Sequence, residues 1–144
     1  MCRHENVIVD SQLETLSKVQ AWFDRLYCSL EPELGWVKSS CDRLNIAIAE
    51  GFTNAVRHAH SHLPAETPIE IEVDLEYGQI SIRIWDQGPP FDPTQLKEPE
   101  PGSLLTDGGY GWFLLRRAVD HVKYQRLGSQ NCLTITHYRH SQIA

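Results

Sequence analysis

Three short segments carry side chains whose types and spacing suit polar chemistry. In the first, Glu50-Gly51-Phe52-Thr53-Asn54-Ala55-Val56-Arg57, the residues Glu50, Asn54 and Arg57 recur at helical intervals and share a face. A carboxylate there can take a proton from water or a hydroxyl group. An amide oxygen is a hard donor suited to Mg²⁺, which binds few protein oxygens and keeps waters or phosphates. Taken alone, this is also the pattern of a solvated helix face. In the second segment, Ile84-Trp85-Asp86-Gln87-Gly88-Pro89-Pro90, Asp86 stands at the exit of a strongly alternating run. A carboxylate held there can accept a hydrogen bond from a base amino group, and Gly88 lets a ring approach the backbone. The plainer reading is a strand exit built from turn formers. The third, Gly108-Gly109-Tyr110-Gly111 followed by Trp112–Arg116, places glycines at a helix start. Free N–H groups at such a start attract anions, and Arg116 adds charge one turn in. A lone Gly-x-Gly is by itself only a turn signal.

The elements that must hold these residues follow from hydrophobic period. Val7–Val9 reads as a short strand, and Asp10-Ser11 as a cap before a helix from Ser11 to about Leu30, where Glu31-Pro32 ends it. A second helix is predicted from about Trp36 to His60, with Leu44, Ile48, Phe52, Ala55 and Ala59 as its buried stripe. Ile69–Leu75 and Gln79–Trp85 alternate around Tyr77-Gly78 and predict a β-hairpin. The proline-rich stretch at about 91–108 reads as a functional lid. A third helix at about Trp112–His121 and two strands, Val122–Leu127 and Cys132–Tyr138, close the chain. Helices segregated against a mixed, mostly antiparallel sheet make an α+β fold, a two-layer α/β sandwich with helices on one face.

Length and composition support one domain spanning 1–144. A chain of 144 residues can bury roughly 70% of its unfolded surface without staples. Its 41% hydrophobic and 22% charged content is globular, not disordered. A net charge of −6 argues against a broad nucleic-acid surface. Cys2, Cys28, Cys41 and Cys132 show no CxxC spacing and read as reduced thiols. No segment approaches the ~18 apolar residues of a membrane span, and no signal-peptide core precedes the first strand. The expectation is a cytoplasmic protein without membrane or direct nucleic-acid contact.

In order and context the three segments resemble the Bergerat (GHKL, HATPase_c-like) ATP-binding fold of gyrase, a heat-shock chaperone, histidine kinases and a mismatch-repair ATPase. Glu50–Ala59 and Gly109–Arg116 are most similar to the small anti-sigma factor serine/threonine kinases of the RsbW type. The resemblance covers about Ser11 to Tyr138. It implies that ATP and Mg²⁺ are the cofactors. Asn54 would hold Mg²⁺ against the phosphates, and Glu50 would orient or deprotonate the attacking hydroxyl. Asp86 would bind the adenine amino group with Gly88 beside the base. Gly109 and Gly111 would donate N–H groups to phosphate, and Arg57 and Arg116 complete the cofactor-binding set. It further implies homodimers that phosphorylate a serine of a STAS-type anti-anti-sigma factor and sequester a sigma factor. The apolar first strand is, on its own pattern, a candidate interface. One position departs from the family pattern: Pro90 stands where the motif carries its second glycine. Proline offers no N–H and cannot take positive φ, which stiffens the lid hinge.

Three other readings stay open on the sequence. Pro90 fits a non-catalytic nucleotide- or partner-binding module of the same fold. A histidine-kinase catalytic half would normally accompany a helical dimerisation module, for which this chain has no room. A zinc site would use His58, His60 and His62, although no Cys or acidic partner has motif spacing; otherwise His58 packs at the helix end while His60 and His62 are solvated.

Overall fold

Alternation decides which side of each strand is buried. Ile69, Ile71, Val73 and Leu75 on β2 (Pro68–Leu75) face one way, with Ile80, Ile82 and Ile84 on β3 (Gln79–Asp86). In the computed structural model, which describes residues 2–90 and 109–140, β1 (Arg3–Asp10), β4 (His121–Leu127) and β5 (Gln130–Tyr138) complete a five-stranded sheet in the order β1-β2-β3-β5-β4. Among the described residues all four pairings are antiparallel, so the sheet they form is not mixed. The turn between β4 and β5 is Gly128-Ser129, and Gly128 has φ 63°. A positive φ at the first of two turn residues is the type II′ pattern that matches strand twist.

The inner face carries a layer of helices. Val19 and Phe23 of α1 (Leu16–Cys28), Leu44, Ile48 and Phe52 of α3 (Cys41–Asn54) and Leu115 of α4 (Gly109–Ala118) are buried against the sheet isoleucines. Phe23 and Tyr27 meet edge to face at 4.6 Å between ring centroids. The outer face is polar. Trp85 points there and donates its indole N–H to Glu72 at 2.5 Å, while Arg83 pairs with Asp74. The four cysteines are unpaired, as expected. Among the described residues no helix is long and apolar enough to cross a membrane.

Two helical expectations are corrected. The predicted helix from Trp36 to His60 is three pieces: α2 (Trp36–Ser39), α3, and a π-helical turn Ala55–Ala59. The first break comes at Ser40 (φ −105°, ψ 6°), where Ser39 Oγ turns back to the Trp36 carbonyl at 2.7 Å and competes with the helical ladder. The first helix begins at Leu16 after a 3₁₀ turn Leu13–Thr15, and Asp10 ends β1 instead of capping. Thr15 Oγ1 ties that turn to the Gln12 carbonyl at 2.7 Å.

Candidate functional site

Gly51 explains how α3 comes to lie so near the sheet. A Cβ built there would stand 2.7 Å from Ile84 Cδ1 and 3.0 Å from Leu133 Cδ2. With that side of α3 pressed on the core, Glu50 and Asn54 emerge together, half-buried, on the flank that meets α4. There Gly111, the third residue of α4, comes so close that a Cβ would sit 2.3 Å from Glu50 Oε2 and 3.8 Å from Asn54 Oδ1. The first turn of α4, with its unsatisfied N–H groups, therefore opens beside a carboxylate and an amide oxygen. Hard oxygen donors next to a helix N-terminus suit a magnesium-bound polyphosphate.

The second cluster surrounds Asp86. Even-numbered residues of β3 point inward, so Asp86 ends the strand facing the helical layer and is only 4% exposed. Its Oδ1 accepts the Gly88 amide at 2.9 Å and Asn131 Nδ2 at 2.8 Å. Among the described residues nothing donates to Oδ2, which leaves one acceptor for a ligand donor. Asn131 lies opposite Asp86 across β3 and β5 and also donates to the Pro89 carbonyl at 3.0 Å. Arg126 Nη1 donates to the Gly88 carbonyl at 2.7 Å and to Asn131 Oδ1 at 3.2 Å. Sequence reasoning missed both residues. The signal available was parity: Asn131 shares the inward set with Leu133 and Ile135, an unusual position for an amide.

His60 was also missed, and its expected solvation is wrong. In the π turn the His60 amide reaches back to the Ala55 carbonyl at 2.8 Å, and the residue is 3% exposed. Nε2 accepts the Gln87 amide at 2.8 Å, which clamps the β3 exit to the end of the helix. Accepting at Nε2 requires a neutral ring. Burial holds the His60 pKa below the ordinary imidazole value, and Asp86 opposes this in part. A base with a depressed folded pKa leaves the unfolded chain binding the extra proton. The stability it contributes is full above the unfolded value of about 6.5 and is lost as pH falls through the folded value. Melting temperature is expected to fall between pH 7.5 and 5.5, and to fall less in His60→Gln, whose amide oxygen can still accept from Gln87. His137, likewise lowered by burial, leaves a residual slope in that variant.

Arg57 is exposed on the π turn, and Arg116 is exposed on α4, about 140° round the helix from Gly111. Gly109 begins α4. The stretch 91–108, read as a lid, lies outside the described residues. His58 and His62 are exposed, so His58 does not pack at the helix end; with His60 turned inward, the three do not form a metal site.

The family model described as "Histidine kinase-like ATPase domain" matches residues 9–137. The chain belongs to that family. Among curated relatives it is 33% identical over 97 residues to the serine-protein kinase RsbW of Oceanobacillus iheyensis, covering 62% of this chain and 61% of the relative. It is 34% identical over 98 residues to the serine/threonine-protein kinase BtrW of Bordetella bronchiseptica, covering 65% of this chain and 67% of that one. The matched segments thus span about 60% of the curated relatives' length. About a third of a solved structure of the RsbU and RsbW domains of a Mycobacterium tuberculosis protein matches with a TM-score of 0.65 at 15% identity, over 99% of this chain and 34% of that one. This likeness shows a shared fold alone.

Proposed function

We propose that the chain is an ATP-dependent protein serine kinase with an anti-sigma role. The observation that carries this reading is the meeting of Glu50, Asn54 and Gly111 at the start of α4. Asp86 lies beyond the other end of the same helical stretch: Gly88 packs on Ala59, nine residues from Glu50 and about 13 Å along the axis. A nucleoside triphosphate lying along α3 fits that span, with the base at Asp86 and the phosphates at α4. In this arrangement Asp86 accepts from the adenine amino group while Asn131 and Arg126 hold the carboxylate and Gly88 in place. Asn54 would hold Mg²⁺, which would neutralise phosphate charge. N–H groups at Gly109–Gly111 donate to phosphate oxygens, and Arg57 and Arg116 supply further positive charge.

In the transfer, a serine Oγ of the partner attacks the γ-phosphorus as the bond to the β–γ bridging oxygen breaks. The serine proton passes to Glu50, and ADP leaves. Such transfer depends on positioning and charge neutralisation more than on covalent chemistry. The serine belongs to a STAS-type anti-anti-sigma factor, and a sigma factor is the sequestered partner; the relatives' names, serine-protein kinase and serine/threonine-protein kinase, support serine as the acceptor. The single domain works as a cytoplasmic homodimer in this reading.

The site is tested by thermal denaturation with Mg-ATP. At ~100 times Kd a ligand adds about 2.7 kcal/mol, a rise of several degrees in a domain of this size. The wild type is expected to show that rise only with magnesium, and Asn54→Ala to lose it. No rise at millimolar Mg-ATP overturns the nucleotide site. The second reading, a non-catalytic module of the same fold, is favoured by Pro90 and is separated by the Glu50 experiment below.

A further inference from the structure

At the far end of the sheet from Asp86, a second polar cluster forms where β4, β5 and the residues after β5 meet. Asn131 and His137 are six residues apart on β5, which puts this cluster about 20 Å from the nucleotide site. Asp120 Oδ2 lies 3.0 Å from His137 Nδ1 and 3.0 Å from His140 Nε2. All the donor atoms fall within 4.8 Å of one another. His137 is 2% exposed, and its Nδ1 has no hydrogen-bond partner despite the nearby carboxylate, because the approach lacks hydrogen-bond geometry. Its other nitrogen, Nε2, is 3.2 Å from Ser40 Oγ. With the proton on Nε2 shared toward Ser40, Nδ1 is left as a buried, unpartnered acceptor beside Asp120. A backbone amide, Tyr138 N–H, anchors Asp120 Oδ2 at 2.8 Å.

We propose that Asp120, His137 and His140 bind a divalent first-row transition-metal ion of the zinc class. Two imidazoles and one carboxylate select such an ion over magnesium or calcium, which prefer all-oxygen sets. At zinc bond lengths near 2.0–2.1 Å, tetrahedral donors stand about 3.3 Å apart, so the two 3.0 Å pairs need open by only a few tenths, and the two ring nitrogens, within 4.8 Å of each other, settle to the same spacing by side-chain rotation of the exposed His140. Ser40 supplies the outer hydrogen bond that fixes the tautomer of a metal-bound histidine. Three protein ligands leave a fourth position, which faces solvent beside His140, 64% exposed. Arg43 is the positive group whose charge acts on His137 from α3; it is exposed, so water and salt screen it. A bound ion would pin the segment after β5 to the junction of α4 and β4.

The test is a Zn²⁺ titration of the tag-free full chain, in competition with a chromophoric chelator and without nucleotide. The expected result is one ion per chain with Kd of about 1 µM or tighter. His140→Ala, at an exposed position, should weaken binding at least ~10-fold, as should Asp120→Asn, whose amide oxygen still accepts from Tyr138. His62→Ala should leave binding unchanged. Absence of stoichiometric binding to the wild type overturns the proposal. So does a His140→Ala chain that binds as tightly as the wild type, or loss of binding in His62→Ala.

Discussion

Glu50→Gln is expected to lower phosphotransfer to a STAS-type acceptor about 10²–10⁴-fold while Mg-ATP binding stays within a few-fold of wild type. Gln keeps the size and hydrogen-bonding reach of the side chain, so the close contact with Gly111 survives. What it loses is the capacity to take the serine proton. The effect should appear in kcat with KM for ATP little changed, because the interaction belongs to the transition state. The measurement is single-turnover transfer of labelled γ-phosphate to serine, with nucleotide binding followed separately. Wild-type rates in Glu50→Gln would remove Glu50 from the chemistry. A wild-type chain that binds Mg-ATP yet transfers nothing would support the non-catalytic module instead.

Gly88→Ala is the second large effect, and it acts through space, not through φ. Gly128 is the only positive-φ glycine among the described residues. A methyl at Gly88 would stand 2.3 Å from the Ala59 carbonyl oxygen and 2.7 Å from its carbon. These are backbone atoms of the π turn, held by the His60 to Ala55 hydrogen bond, and they cannot swing aside as a side chain would. Overpacking of this kind costs about 2–3 kcal/mol. For a domain of this size that is a fall of roughly 6–12 °C in Tm. Displacing Gly88 also strains its bonds to Asp86, Arg126 and Asn131, so Mg-ATP affinity should drop at least ~10-fold. Gly78→Ala, where nothing lies within 4 Å of the new methyl, is the control and should melt like wild type. If Gly88→Ala melts and binds like that control, the β3 exit is not packed against the helix end as described.

Much of this molecule is local in origin. The period-2 pattern of Ile69–Leu75 and Gln79–Trp85 identified both strands, and strand parity alone turns Asp86 inward once Ile80, Ile82 and Ile84 are buried. Helical spacing put Glu50 and Asn54 on one face and assigned the stripe Leu44, Ile48 and Phe52 to the core. Such rules need only neighbours along the chain, and so they can be read from it. What only the tertiary structure decided involves partners far apart in sequence. Asn131 became the companion of Asp86 through β3–β5 register across 45 residues, and Gly111 met Glu50 through the packing of α4 on α3. His60 turned inward because the helix widened into a π turn against the β3 exit, and Asp120, His137 and His140 converged only where two strand ends and the following residues come together. Residue type and spacing set which face a side chain takes. Which backbone can approach which neighbour, and in what register, is settled only when the whole core closes.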